Sequence, residues 1–170
     1  GLPLVSGSTG WSERLPELKA LCGREGKTFF WSSNFSIGVY LFRQLVAQAS
    51  RLMKLAPDYQ LSMSETHHVH KLDAPSGTAI TLAETVLAAR PELDRWTLGT
   101  AAEDELPVVA YREGEVPGTH RLSFTSGVDR IELTHEAFRR EGFAHGAVLA
   151  AEYAATHRGW LTMVDLVPSR

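Results

Sequence analysis

The spacing of apolar and polar positions changes period from segment to segment, and those changes outline the elements. Residues 2–5 form a short apolar run that ends in Ser6-Gly7-Ser8-Thr9-Gly10. Leu15, Leu18 and Leu21 then recur at helical spacing within residues 12–25. Thr28-Phe29-Phe30-Trp31 reads as a second buried strand. Strand, glycine turn, helix and strand make a βαβ unit whose turn sits where α/β sheets place their ligands; the alternative is a plain structural turn. Between residues 37 and 55, Leu41, Leu45 and Val46, then Ala49, Leu52 and Met53, predict a long amphipathic helix ended by Pro57 and bridging two domains.

Period two takes over in residues 59–69, where Tyr59, Leu61, Met63, Glu65 and His67 share one face of a strand and Ser62, Ser64, Thr66 and His68 the other. After a turn over residues 73–77, a helix is expected over 78–90 with Ile80, Ala83 and Leu87 inward, stopped by Pro91. Residues 93–107 are acidic and read as an exposed connection. Strands are expected over 108–112, 120–125 and 129–135, the last two joined as a hairpin at Ser126-Gly127. An alanine-rich helix over 143–157 with Gly159 as terminator, and a short strand over 160–164, close the chain. The pattern predicts α/β at the start, then an α+β module on a mainly antiparallel sheet.

Composition narrows the partners. With 170 residues, 44% of them hydrophobic, the chain is long enough to bury a core, and its net charge of -3 comes from 17 basic and 20 acidic residues mixed along it. That balance gives no reason to expect nucleic acid or an anionic membrane surface, and favours a small molecule. Cys22 is alone, so no internal disulfide forms and a reducing cytoplasm fits. No apolar run approaches the ~20 residues of a membrane span. The chain does not open with Met and lacks a basic leader, so it is expected to begin partway through a larger protein.

The densest chemistry lies in Glu65-Thr66-His67-His68-Val69-His70-Lys71-Leu72-Asp73-Ala74-Pro75-Ser76-Gly77-Thr78-Ala79. Imidazoles and an ammonium precede a helix start whose Gly77 and Thr78 amides, with the positive end of the helix dipole, suit a carboxylate; Ser76 or Thr78 can add a hydroxyl. A histidine is the natural proton donor near neutral pH. Zinc would need three or four convergent ligands, and on a strand His68 and His70 face away from His67, so no metal is expected. A nucleophilic Ser76 lacks the Gly-x-Ser-x-Gly elbow and follows Pro75. The plain alternative is a helix cap at Asp73 or Ser76 beside solvated histidines.

This segment closely resembles the E-x-H-H-x-x-K-x-D-A-P-S-G-T-A signature of the 4-hydroxy-tetrahydrodipicolinate reductase family. Gly7-Ser8-Thr9-Gly10 looks like that family's G-T-T-G turn, and Ser33-Asn34-Phe35-Ser36-Ile37-Gly38-Val39 like its A-N-F-S-x-G-V. Arg112, Gly114, Gly118 and His120, then Ile131-Glu132-Leu133-Thr134-His135, and finally Arg140 with Phe143-Ala144-His145-Gly146-Ala147, follow its later pattern. The resemblance implies NADH or NADPH as cofactor, a dicarboxylate substrate, a cytoplasmic homotetramer, and a partial Rossmann-like domain (residues 1–36 and 143–170) around an inserted substrate and tetramerisation domain (37–142). By position, His67 matches the proton donor and Lys71 a second acid or clamp. His68, Gly77 and Thr78 match carboxylate contacts, with Ser76 beside them. Gly7, Ser8 and Thr9 match the turn near the nicotinamide ribose, and Ser32, Ser33, Asn34 and Phe35 the segment lining the nicotinamide; Arg140 and Phe143 match the hinge. The family's opening strand and G-x-x-G-x-M-G loop are not among these residues, so weak dinucleotide binding and slow turnover are expected of this chain alone. The competing expectation is a non-catalytic relative that still assembles.

Overall fold

The structure is a computed structural model that describes residues 1–168. In chain order its elements are β1 (Leu4–Ser6), α1 (Leu15–Glu25), β2 (Phe29–Trp31), α2 (Ile37–Leu52), β3 (Gln60–His67), α3 (Gly77–Ala89), β4 (Arg95–Leu98), β5 (Glu105–Arg112), β6 (Thr119–Thr125), β7 (Arg130–Glu136), α4 (Glu141–Thr156), β8 (Trp160–Leu161) and α5 (Met163–Leu166). They fall into two compact units, one holding residues 1–40 with the described residues from Arg140 onward, the other Leu41–Arg139. These divisions lie at 40/41 and 139/140, against expected boundaries at 36/37 and 142/143. Among the described residues no helix is long and apolar enough to cross a membrane.

The first unit is a parallel sheet in the order β1-β2-β8, with Leu4 opposite Phe29 and Phe29 opposite Trp160. Its core gathers Phe30, Phe35, Tyr40, Ala150, Ala154, Leu161 and Met163. The segment expected as one strand over 160–164 is instead two residues of β8 followed by α5, because Thr162 and Asp165 form a reciprocal capping box that turns the chain into a helix. Close packing explains Gly146 on α4: a Cβ there would lie 1.8 Å from the carbonyl oxygen of Phe35. The helix can therefore lie against the backbone of residue 35 only without a side chain at that position.

The second unit is a five-stranded sheet in the order β4-β5-β3-β6-β7. Pairs β4/β5 and β3/β5 are parallel while β3/β6 and β6/β7 are antiparallel, so the sheet is mixed rather than mainly antiparallel. The difference originates in residues 93–107, expected as an exposed connection. They hold β4 and the start of β5, with Leu106 fully buried. A parallel return this short is unusual, since such pairs ordinarily need a long crossover. It closes here because β4 has only four residues, and because Glu105 accepts hydrogen bonds from the Thr97 hydroxyl (2.9 Å) and the Ala102 amide (3.1 Å). Phe42, Val46 and Met53 of the α2 segment, Leu82, Ala83 and Val86 of α3, and Met63, Leu106, Val108, Leu122 and Phe124 of the sheet make the core. The expected inward positions Leu41, Leu45 and Leu52 are exposed, and Ile80 and Leu87 only half-buried, so both helices are rotated slightly from the expected face.

Candidate functional site

Strand β3 delivers the chemistry. Glu65 and His67 point to one face, two residues apart, and both are buried. Register brings the other members to them: across the antiparallel pair Glu65 lies opposite His120 of β6, and across the parallel pair His67 lies opposite Arg112 of β5. The carboxylate of Glu65 is the hub. Its Oε1 accepts from the amide of Ser76 (3.0 Å) and the guanidinium of Arg112 (3.2 Å). Its Oε2 lies 3.2 Å from Nδ1 of His67 and 3.8 Å from Nε2 of His120. The two imidazoles meet edge to face with centroids 5.3 Å apart, and Nε2 of His120 also lies 3.3 Å from the hydroxyl of Ser76. A glycine completes the wall, since a Cβ on Gly118 would sit 2.9 Å from Nε2 of His67.

Charge in this cluster follows from burial. Desolvation lowers His67 below the usual histidine value, opposed by Glu65 and reinforced by the cations Lys71 and Arg112. His120 is more deeply enclosed and is pushed down to about 4, by burial first and then by the neighbouring His67. Both rings are therefore neutral near pH 7. The expectation that no three ligand atoms converge is corrected: Glu65, His67 and His120 each offer one within 4.8 Å of the others. The Arg112 guanidinium on the same carboxylate supplies the compensating cation from the protein itself.

The segment after β3 carries Lys71 to this cluster. Its ammonium lies 2.7 Å from Oδ1 of Asp73, which holds that carboxyl below its usual range. Arg112 fixes the loop, donating to the carbonyls of Lys71 (3.3 Å) and Asp73 (2.5 Å). Ser76, fully buried, caps α3 by accepting from the Ala79 amide (3.2 Å). Gly77 and Thr78 open the helix; the space where Gly77 would carry a side chain holds no atom within 4 Å. His68 is half-buried just past the strand, whereas His70 is exposed and faces Glu115 at 3.5 Å. The end of β3 at His67 thus separates the histidines: His67 joins the cluster from the strand, and His70, in the turn that follows, faces solvent.

The other predicted residues lie in the first unit, on loops at the carboxyl ends of neighbouring parallel strands. Gly7, Ser8 and Thr9 are exposed after β1. A Cβ on Gly7 would lie 3.2 Å from the Phe35 ring, and the Trp31 indole donates to the Ser8 carbonyl (3.1 Å). After β2, the Ser32 hydroxyl donates to the Asn34 carbonyl (2.6 Å), the Asn34 side chain accepts from the Ser36 amide (2.9 Å), Ser33 is exposed, and Phe35 is buried in the core. The two loops are packed together, as a shared ligand edge requires.

Glu65, Arg112, Gly118 and His120 carry much of this geometry yet were assigned no role from the sequence. Period-two spacing places Glu65 on the face of His67, which was a usable signal. Arg112 and His120 reach the site only through cross-strand register, which spacing along one strand does not reveal.

The fold and this cluster define a mixed α/β protein with a buried group of ionisable side chains beside a helix start. Residues 38–167 match the family model described as "Dihydrodipicolinate reductase, C-terminus". A 4-hydroxy-tetrahydrodipicolinate reductase of Christiangramia forsetii is 45% identical over 98% of this chain and 70% of its own length. One from Lawsonia intracellularis is 32% identical over 98% and 67%. A dipicolinate-bound dihydrodipicolinate reductase from a Paenisporosarcina species shares the fold at a TM-score of 0.73 and 24% identity, over 96% of this chain and 63% of that one. The chain belongs to the dihydrodipicolinate reductase family.

Proposed function

We propose that the chain serves the reduction of 4-hydroxy-tetrahydrodipicolinate to tetrahydrodipicolinate in lysine and diaminopimelate biosynthesis, with NADH or NADPH as reductant. The observation that carries this reading is the buried Glu65–His67–His120–Arg112 cluster, with Lys71 on an Arg112-anchored loop and a Ser76-capped helix start beside it. A relative of the same fold is described as dipicolinate-bound, a planar dicarboxylate. Two carboxylates need two sources of positive potential. Lys71 supplies one as an ammonium, and the first-turn amides of Gly77 and Thr78 supply the other, with His68 and Ser76 completing the contacts.

His67 is the proposed proton donor. Burial, Lys71 and Arg112 favour its neutral form, and a bound dianion, by offsetting those cations, favours the imidazolium that donates the proton. Reduced nicotinamide, when bound, supplies the hydride. The loops of Gly7–Thr9 and Ser32–Phe35 fit the nicotinamide end of a dinucleotide: both are built on parallel strand ends, and the lack of a side chain on Gly7 lets them close on each other. In this reading residues 1–36 and 143–170 belong to the dinucleotide-binding domain, with Arg140 and Phe143 at the hinge. Residues 37–142 form the substrate and tetramerisation domain of a cytoplasmic homotetramer.

Steady-state reduction by the full-length enzyme, followed by nicotinamide absorbance, tests the assignment. His67→Gln is expected to lower kcat by roughly 10²–10⁴-fold with little change in KM, the usual worth of a general acid. Lys71→Ala is expected to harm both parameters. Turnover of full-length His67→Gln equal to that of the unaltered full-length enzyme would remove His67 from the role.

A further inference from the structure

We infer that Glu65 is the positioning residue of the site: it holds His67 through Nδ1, so that Nε2, beside Gly118, is the nitrogen that exchanges the proton with substrate. The inference rests on the reading of His67 as the acid and adds which nitrogen acts and what aims it.

Two buried atoms make the case. Oε2 of Glu65 and Nδ1 of His67 are each without a hydrogen-bond partner, although a buried polar atom left unpaired costs about 1–3 kcal/mol. Each is within 3.2 Å of the other, close but not aligned as a hydrogen bond. The other carboxylate oxygen is already committed to the Ser76 amide at 3.0 Å and to Arg112 at 3.2 Å, so the carboxylate cannot rotate away. On the far side of the ring the missing side chain of Gly118 leaves Nε2 its room, since a Cβ there would come within 2.9 Å. A carboxylate behind one ring nitrogen, with the other nitrogen flanked only by a glycine, is the arrangement that fixes a histidine's tautomer. The charged groups acting on His67 are Glu65 from its own strand, His120 from β6, Arg112 from β5, and Lys71 and Asp73 from the following loop; among them Glu65 favours the imidazolium most.

Nitrogen-detected NMR of the imidazoles in the full chain tests this without any need for turnover. His67 is expected as the Nδ1–H tautomer when neutral. In Glu65→Gln the amide oxygen keeps the Ser76 and Arg112 bonds, which turns the amide NH₂ toward Nδ1. His67 should then switch to the Nε2–H tautomer and titrate at lower pH, and kcat should fall with KM nearly unchanged. A wild-type His67 already carrying its proton on Nε2 would overturn the inference, and this reading needs no variant. So would Glu65→Gln that moves the titration of His120 and leaves His67 as it was, because Glu65 would then serve the other ring. Gly118→Ala should shift the Nε2 resonance of His67; an unmoved resonance counts against the placement. If the tautomer switches while His67→Gln keeps full turnover, the positioning stands and the assignment of His67 as acid fails.

Discussion

His120 shows how burial turns a residue into a term in stability. Its folded value of about 4 lies below the ordinary 6.5, so between these pH values the unfolded chain binds the extra proton and the folded chain does not. Stability from this group is complete above about pH 6.5, declines as pH falls toward about 4, and is constant below. At about 1.36 kcal/mol per unit, the step from pH 7 to pH 5 costs on the order of 2 kcal/mol. His67 and His135, also lowered by burial, act in the same direction. Urea midpoints at the two pH values should differ accordingly, and His120→Gln should show a shallower dependence. Identical midpoints at pH 5 and pH 7 would mean that these imidazoles are not held neutral.

At the level of elements, Gly146 links a helix to a loop of the site. Replacing a helical glycine by alanine ordinarily stabilises by roughly 1 kcal/mol. Here the added methyl would lie 1.8 Å from the Phe35 carbonyl oxygen, far inside contact distance, so the clash outweighs the propensity. Gly146→Ala should lower stability by about 1–3 kcal/mol and disturb Ser32–Phe35. Trp11, Trp31 and Trp160 lie in this unit and report on it by fluorescence during unfolding. A midpoint at or above that of the unaltered chain would contradict the packing. The same scale shows what the sequence made legible. Strong local signals, such as the Leu-spaced α1, the alternation in β3 and the Ser126-Gly127 hairpin, correspond to observed elements. β4 escaped because four residues with no clear alternation become a strand only by pairing with β5. The faces of α2 and α3 were read slightly off because Phe42 and Leu82, not Leu41 and Ile80, meet the sheet. The site was half legible for the same reason: His67, Lys71 and Ser76 lie in one motif, while Arg112 and His120 arrive from strands far along the chain.

Across the whole molecule the charges tell little and their placement much. A net charge of -3 would not suggest an anionic ligand. Yet Lys71, Arg112 and the start of α3 are gathered around a fully buried carboxylate and two neutral imidazoles. That a dicarboxylate binds against these groups is the central claim. Calorimetric titration of the full chain with pyridine-2,6-dicarboxylate, alongside Lys71→Ala, tests it most directly. Saturable binding is expected, weakened about 10-fold or more by the substitution, as loss of a charge-assisted contact worth about 1.5–3 kcal/mol requires. No saturable binding, or equal affinity in the two proteins, would contradict the proposed dicarboxylate site.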